Sequence, residues 1–168
     1  SKTKQNEIGV KMKSGAFLHT LSAFKNTQQS GISVPDSKDP SKSWYTLDGE
    51  NEYKGIEYSA VGALSDKWDM IFGIAYMDAE KSKTQGGAND GRKVCGIPKW
   101  SGDLALTYKP DKATKFISRL NYTGKTRIHD TSSYAMPIGI SSITLLDLGA
   151  SYDTKIAGYD ATITAMCY

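Results

Sequence analysis

The residues best placed to do chemistry stand at alternate positions of one stretch, VCGIPKWSGDLALTYKPDKATKFISRLNYT, from Val94 to Thr123. Lys99, Asp103, Lys109, Lys115 and Arg119 share one parity there, and Lys125 and Arg127 continue it. If that face lines a lumen, it is a basic wall suited to anionic ligands, where clustered positive charge raises the local anion concentration. The plainer reading is an ordinary solvated interior. Trp44, Tyr45, His129 and Tyr134 fall in long loops, where aromatic rings can pack on a ligand. Nothing points to catalysis. His19 and His129 lie far apart, and neither has a second histidine at metal-ligand spacing. There is no G-x-S-x-G elbow, phosphate loop or G-x-G-x-x-G, and GGANDG matches none of these. DGENE at 48–52 lacks regular calcium-ligand spacing. The expectation is a binding protein with no catalytic residue, no metal site and no resident cofactor.

Those side chains need strands to hold them. Trp100, Gly102, Leu104, Leu106 and Tyr108 alternate with Ser101, Asp103, Ala105, Thr107 and Lys109, the two-residue period of a strand with one apolar face. Pro110 and Asp111 turn the chain. The period then resumes with Phe116, Leu120 and Tyr122 against Lys115, Arg119, Asn121 and Thr123. Both strands carry an aromatic residue near each end of the apolar face. A core strand needs no such pair, whereas a strand crossing a bilayer gains one at each interface.

Composition agrees. The chain has 168 residues, enough for one domain, 1–168, and its ten Tyr, three Trp and sixteen Gly favour β-structure with many turns. At 39% hydrophobic and a mean hydropathy of −0.44, it offers no apolar run near the roughly 18 residues a membrane helix needs. A transmembrane barrel gives only a weak hydropathy signal, so a membrane stays open. The formal charge of +3 is too small and too dispersed for a nucleic-acid footprint.

In order, strands are predicted at 7–13, 16–28, 51–64 and 68–79, then the pair just described, then about 143–153 and 159–165. In the second the facing is ambiguous, since Leu18 and Phe24 share one parity and Phe17 and Leu21 the other. Short turns near Ser14, Asp66, Pro110 and Lys155 alternate with long loops at about 29–49, 80–96 and 128–142. Antiparallel pairing puts all short turns at one end of the sheet and all long loops at the other. Trp68, Tyr108, Phe116, Tyr152 and Tyr159 then fall at the short-turn end of the apolar face, and Tyr58, Tyr76, Trp100 and Tyr122 toward the loop end. Two belts and one-sided loops favour an outer-membrane barrel over a soluble sandwich or carrier.

The runs GIPKWSGDLALTYKP, FISRLNYTGKTRIHD and ITLLDLGASYDT, with NEIGVKMKSG and ENEYKGIEYSAVGAL upstream, resemble the carboxy-terminal half of a TonB-dependent outer-membrane receptor, most closely the siderophore-receptor branch. The resemblance covers nearly the whole chain. It implies an all-β, antiparallel up-and-down meander of about eight long strands, part of a larger transmembrane β-barrel in the Gram-negative outer membrane. It also implies a ferric siderophore as ligand and coupling to the TonB complex through a plug domain. Nothing here resembles that plug. Counting back from Tyr168, residues Met166, Thr164, Thr162 and Asp160 are too polar for a lipid-facing terminal strand, so the chain reads as a barrel fragment. Such a fragment is expected to self-associate through its strand edges. The alternative is a complete eight-stranded barrel, either a small membrane barrel or a soluble lipophile carrier.

Cys95 and Cys167 form an even pair, which suggests a disulfide. The predicted topology sets them about 14 Å apart, three strand spacings, against a limit of roughly 7 Å between bridged Cα atoms. Free thiols are therefore expected.

Overall fold

The protein is described here from a computed structural model of residues 2–39, 41–128 and 138–168. Alternating β-branched, aromatic and small residues build β1 (Thr3–Ser14), β2 (Phe17–Pro35), β3 (Ser43–Ser65) and β4 (Trp68–Ser82). A single 3-10 turn, Gln85–Gly87, follows. Then come β5 (Trp100–Tyr108), β6 (Thr114–Thr123), the short β7 (Thr126–Arg127) and β8 (Gly139–Ile140), β9 (Ile143–Ile156) and β10 (Tyr159–Cys167). Eight of them form one antiparallel sheet in the order β1-β2-β3-β4-β5-β6-β9-β10, and β7 pairs with β8 beside it. The all-β meander expected from the sequence is the fold observed. Among the described residues no ladder joins β1 to β10, so the sheet is open along both strands.

The register carries one face through the whole sheet. Leu104 stands opposite Phe72 and Leu120, Leu120 opposite Leu146, and Tyr108 opposite Trp68 and Phe116. Ile56 pairs with Tyr76 and Ala23, and Ala23 with Ile8. Register also settles β2. Phe17, His19, Leu21 and Ala23 join the apolar face, whereas Leu18, Thr20, Ser22 and Phe24 stand on the opposite one. Phe24 fits there because it faces Gly55, whose missing side chain leaves room for its ring.

This is a single layer with no two-sided core. Ala60 and Ala79 are the buried hydrophobic residues, while Ile8 is 77% and Ile163 56% exposed. The apolar face needs another apolar phase or partner to cover it.

One of the expected loops is much shorter than predicted. The segment 29–49 is not a long loop: β2 runs on to Pro35 and β3 starts at Ser43, leaving only a tight end around Asp36, whose amide donates to the Lys42 carbonyl at 2.8 Å. The second long connection is present, shifted to 83–99 because β4 continues to Ser82, and a bridge between Glu80 and Lys93 folds it back on the strand. At the opposite end the hairpins are tight. Ala157 and Gly158 take φ of 53° and 84°, the paired left-handed conformation that two-residue hairpins favour.

Candidate functional site

The basic wall read from alternation divides into two halves once the register places its neighbours. Toward the short turns, Lys109 Nζ sits 2.6 Å from Asp69 Oδ2, and Lys115 Nζ 4.0 Å from Asp153 Oδ2. Both acids stand on adjacent strands with the same facing, so their charge cancels that of the lysines. The two lysines of the wall nearest the short turns thus face acids that alternation within one strand does not reveal. Arg119 lies between, opposite Ala105 on β5 and Asp147 on β9, with no ion pair among the described residues.

Toward the loop end three cations of this wall, Lys99, Lys125 and Arg127, have no ion pair among the described residues. They line a cavity of about 280 Å³ together with Met77, Val94 and Thr126. Backbone bonds hold its walls: Val94 N donates to Ala79 O (2.9 Å), Met77 N to Lys99 O (2.9 Å), and Gly96 N to Arg127 O (2.8 Å). Gly124 closes the corner, its amide donating to Trp100 O at 2.8 Å, an approach so tight that a β-carbon would lie 2.7 Å from that oxygen. Lys93 also reaches the cavity but is occupied. Its ammonium donates to both Asp78 oxygens (2.6 and 2.8 Å) and to Glu80 Oε1 (2.6 Å). Those two carboxylates, Asp78 foremost, hold the Lys93 pKa above its ordinary value.

Between the halves the face is polar and mostly uncharged. Thr20, Ser22, Ser59 and Asn121 line a shallow hollow of about 460 Å³ with Glu57 and Asp103. The same face turns apolar below it, where Leu18, Val61 and Ile71 stand about half exposed. A purely aqueous lumen does not explain that stripe.

The aromatic candidates occupy a different element from the one expected. Trp44 and Tyr45 lie on β3, paired with Val34 and Ser33 in the β2–β3 hairpin, and are 65% and 75% exposed. A bulge sets Leu47 and Asp48 against Gly31 alone. Without it, Trp44 would share the parity of Ile56 and Tyr58. The extra residue returns it to the side of Val34 and Phe24, the polar face. Tyr45 turns the other way and lays its ring over Gly31, where any β-carbon would collide with it. His129 and Tyr134 lie outside the described residues. The structure thus joins Arg127 to Lys99 and Lys125, and leaves Arg119 about 20 Å down the strand at roughly 3.3 Å per residue. Sequence reasoning passed over Thr126, and nothing in its local pattern marks it: its hydroxyl oxygen is buried with no hydrogen-bond partner among the described residues. Both cysteines are free, Cys95 half-buried and Cys167 exposed. Among the described residues no three His, Cys, Asp or Glu side chains cluster as a metal site would require.

Comparison with known proteins decides the family. A family model for the TonB dependent receptor-like β-barrel matches residues 1–168. The chain belongs to that family. It is 28% identical over 153 residues to the ferrichrome receptor FcuA of Yersinia enterocolitica, a match covering 89% of this chain and 19% of that protein. Among solved structures it is similar to BauA, the ferric preacinetobactin receptor of Acinetobacter baumannii, at 32% identity and a TM-score of 0.80, covering 98% of this chain and 24% of that one. The siderophore receptor PiuA of the same organism shares the fold, at 22% identity and a TM-score of 0.67 over 89% of this chain and 22% of its own. The chain therefore spans about a fifth to a quarter of the length of these receptors. Within a TonB-dependent receptor-like barrel, the apolar face is the outside of the wall and the polar face its lumen.

Proposed function

We propose that this chain is wall and outer loops of an outer-membrane receptor that takes up ferric siderophores, with energy delivered through the TonB complex to a plug domain carried elsewhere in the polypeptide. The observation that carries the reading is a group of cations gathered at the loop end of the lumen face. Lys99, Lys125 and Arg127 line one cavity there with no ion pair among the described residues, while Lys109 and Lys115 nearer the short turns face Asp69 and Asp153. An anionic chelate arriving from outside meets that end first. Trp44, Tyr45, Arg119, Arg127, His129 and Tyr134 are the proposed ligand contacts, with the aromatic residues packing on the chelate and the arginines meeting its charge.

Membrane placement follows from the other face. Trp100 and Tyr108 end β5 about 26 Å apart along the strand at roughly 3.3 Å per residue, and ring pairs extend each belt sideways. Trp68 stacks on Tyr108 with centroids 4.6 Å apart, and Tyr76 packs on Trp100 at 4.9 Å. Such belts suit the two interfaces of a bilayer, and the aliphatic residues between them suit its core. Iron is cargo in this reading, and no resident cofactor or catalytic step is assigned.

The relatives are named for two different chelates, ferrichrome and ferric preacinetobactin, so the chelate is left to experiment. The test is uptake of radiolabelled iron by cells expressing the full-length receptor, supplied in turn with hydroxamate, catecholate and mixed chelates. Energy-dependent uptake of one class that falls in an Arg127→Gln, Lys125→Gln variant supports the reading. Equal uptake of every chelate with and without the receptor overturns it.

A further inference from the structure

The loop-end cavity has properties that a general basic surface lacks. Three cations face it without a carboxylate partner among the described residues: Asp78, which also lines it, and Glu80 both bond to Lys93, and the four cations still outnumber these two acids. A buried hydroxyl, Thr126 Oγ1, lines it too with no hydrogen-bond partner among the described residues, although buried polar groups are ordinarily satisfied. The walls are set in place by main-chain bonds from three strands, so the cations are gathered before any ligand arrives. Its volume of about 280 Å³ lies below the roughly 300–1,000 Å³ of pockets that enclose a drug-sized ligand. It accommodates one small group.

We propose that this cavity is a binding site for a single oxyanionic group, a phosphate or a carboxylate, held by Lys99, Lys125 and Arg127 and accepting a hydrogen bond from Thr126 Oγ1. An oxyanion supplies what each lining group lacks: negative charge for the three cations and an acceptor for the hydroxyl. A neutral ligand would leave the charges unpaired, and a cation would be repelled. The site requires no iron, and it stands whether or not the receptor carries a chelate.

The probe is inorganic phosphate, titrated into the full-length receptor in detergent and followed by calorimetry and phosphorus NMR line width. The structure predicts saturable binding that weakens as salt rises. Lys99→Gln with Lys125→Gln should weaken it by about tenfold or more, since charge-assisted bonds are the strong ones. Thr126→Val should weaken it several-fold, and Lys115→Gln, whose lysine is paired with Asp153, should leave it unchanged. Heat-dependent gel mobility reports whether each variant is folded. If the double variant fails to fold, Thr126→Val against Lys115→Gln still decides. Absent binding in the natural protein, or equal binding in Thr126→Val and Lys99→Gln, Lys125→Gln, overturns the proposal. A monoalkyl phosphate that competes identifies the acid arm of a larger ligand as the occupant, and one that is excluded identifies the free ion. Either result supports the site. Ferric chelate binding measured on the same samples separates the two readings: phosphate bound without any chelate sinks only the transport reading.

Discussion

His19 Nδ1 and Tyr58 Oη share a hydrogen bond of 2.8 Å across the β2–β3 ladder, on the apolar face of the sheet. Both rings are flanked by apolar neighbours, with Phe17 6.0 Å from the imidazole and Phe72 6.1 Å from the phenol, centroid to centroid. A polar pair in that band is tolerated because each group satisfies the other. Tyr58→Phe leaves the imidazole nitrogen unpaired and is expected to cost about 1–3 kcal/mol. Adding His19→Leu should recover most of that loss. Urea unfolding of the four proteins in vesicles gives the cycle, and strictly additive losses would mean that the bond contributes nothing in the bilayer.

Asp111 governs the turn between β5 and β6. Its carboxylate accepts from Ala113 N and Thr114 N, both at 2.8 Å, and these two bonds hold its pKa below the ordinary value. The folded state therefore prefers the ionised form. The turn's stabilisation is complete above the unfolded pKa of about 4 and is lost as pH falls through the lowered folded value. Amide exchange at Ala113 and Thr114 should accelerate through that acid range relative to Leu104, and Asp111→Ala should show the fast rate at every pH. Protection unchanged in the alanine variant would remove Asp111 from the account.

Most of the wall was legible in the sequence because a bilayer imposes alternation. Trp100, Leu104, Leu106 and Tyr108 repeat every second residue since one face is apolar and the other polar, and the partners across the ladder obey the same constraint. Beyond the outer belt both faces of a strand are wet, so the two-residue signal fades while the backbone ladder continues. That is why the β2–β3 hairpin past Gln28 reads as a loop rich in Ser, Asp and Lys. The acids facing the basic wall were hidden for another reason. Lys109 finds Asp69, and Lys115 finds Asp153, only through pairings that parity within one strand does not contain. Thr126 joins the site through tertiary enclosure, which leaves no mark on local pattern.

Gly31 is required by the ring that lies on it. In Gly31→Ala the new methyl would occupy the space of the Tyr45 phenol, so the ring must swing away while the bulge and Trp44 keep their places. Because the hairpin tip is exposed, global stability should change by less than about 0.5 kcal/mol. If Tyr45 contacts the ligand as proposed, affinity for the chelate should fall by as much in Gly31→Ala as in Tyr45→Ala. Normal binding in the glycine variant together with loss in Tyr45→Ala would show that the ring's resting position is immaterial.

Lys93 ties the 83–92 segment to the wall by bridging Asp78 and Glu80. Its raised pKa means that this tie is fully present below the unfolded pKa of about 10.4 and is lost as pH rises through the higher folded value. Lys93→Met leaves two like charges two residues apart on one face of β4 wherever both carboxylates are ionised. The segment should then be cut faster by a protease added to intact cells, several-fold over the natural protein, while the barrel core survives. An unchanged cleavage rate would mean that the hydrogen bonds from Thr84 N and Oγ1 to Asp90 Oδ1, each 2.8 Å, suffice to hold it.

The two open margins of the sheet make the last prediction. β1 is exposed at every position and β10 at nearly all, and each presents a row of unpaired main-chain groups beside a strongly apolar face. Such an edge templates addition of another strand. In a larger barrel the neighbouring strands would supply the partner, and the 168 residues alone in water have none except a second copy. The isolated chain is therefore expected to associate, β1 and β10 margins pairing between molecules, with a scattering mass above 18.3 kDa that rises with concentration. Replacing Ile8 and Val10 by lysine puts charge on the β1 margin and should lower that mass. A stable monomer in detergent-free buffer would mean that the sheet protects its own margins, and the edge argument would fail.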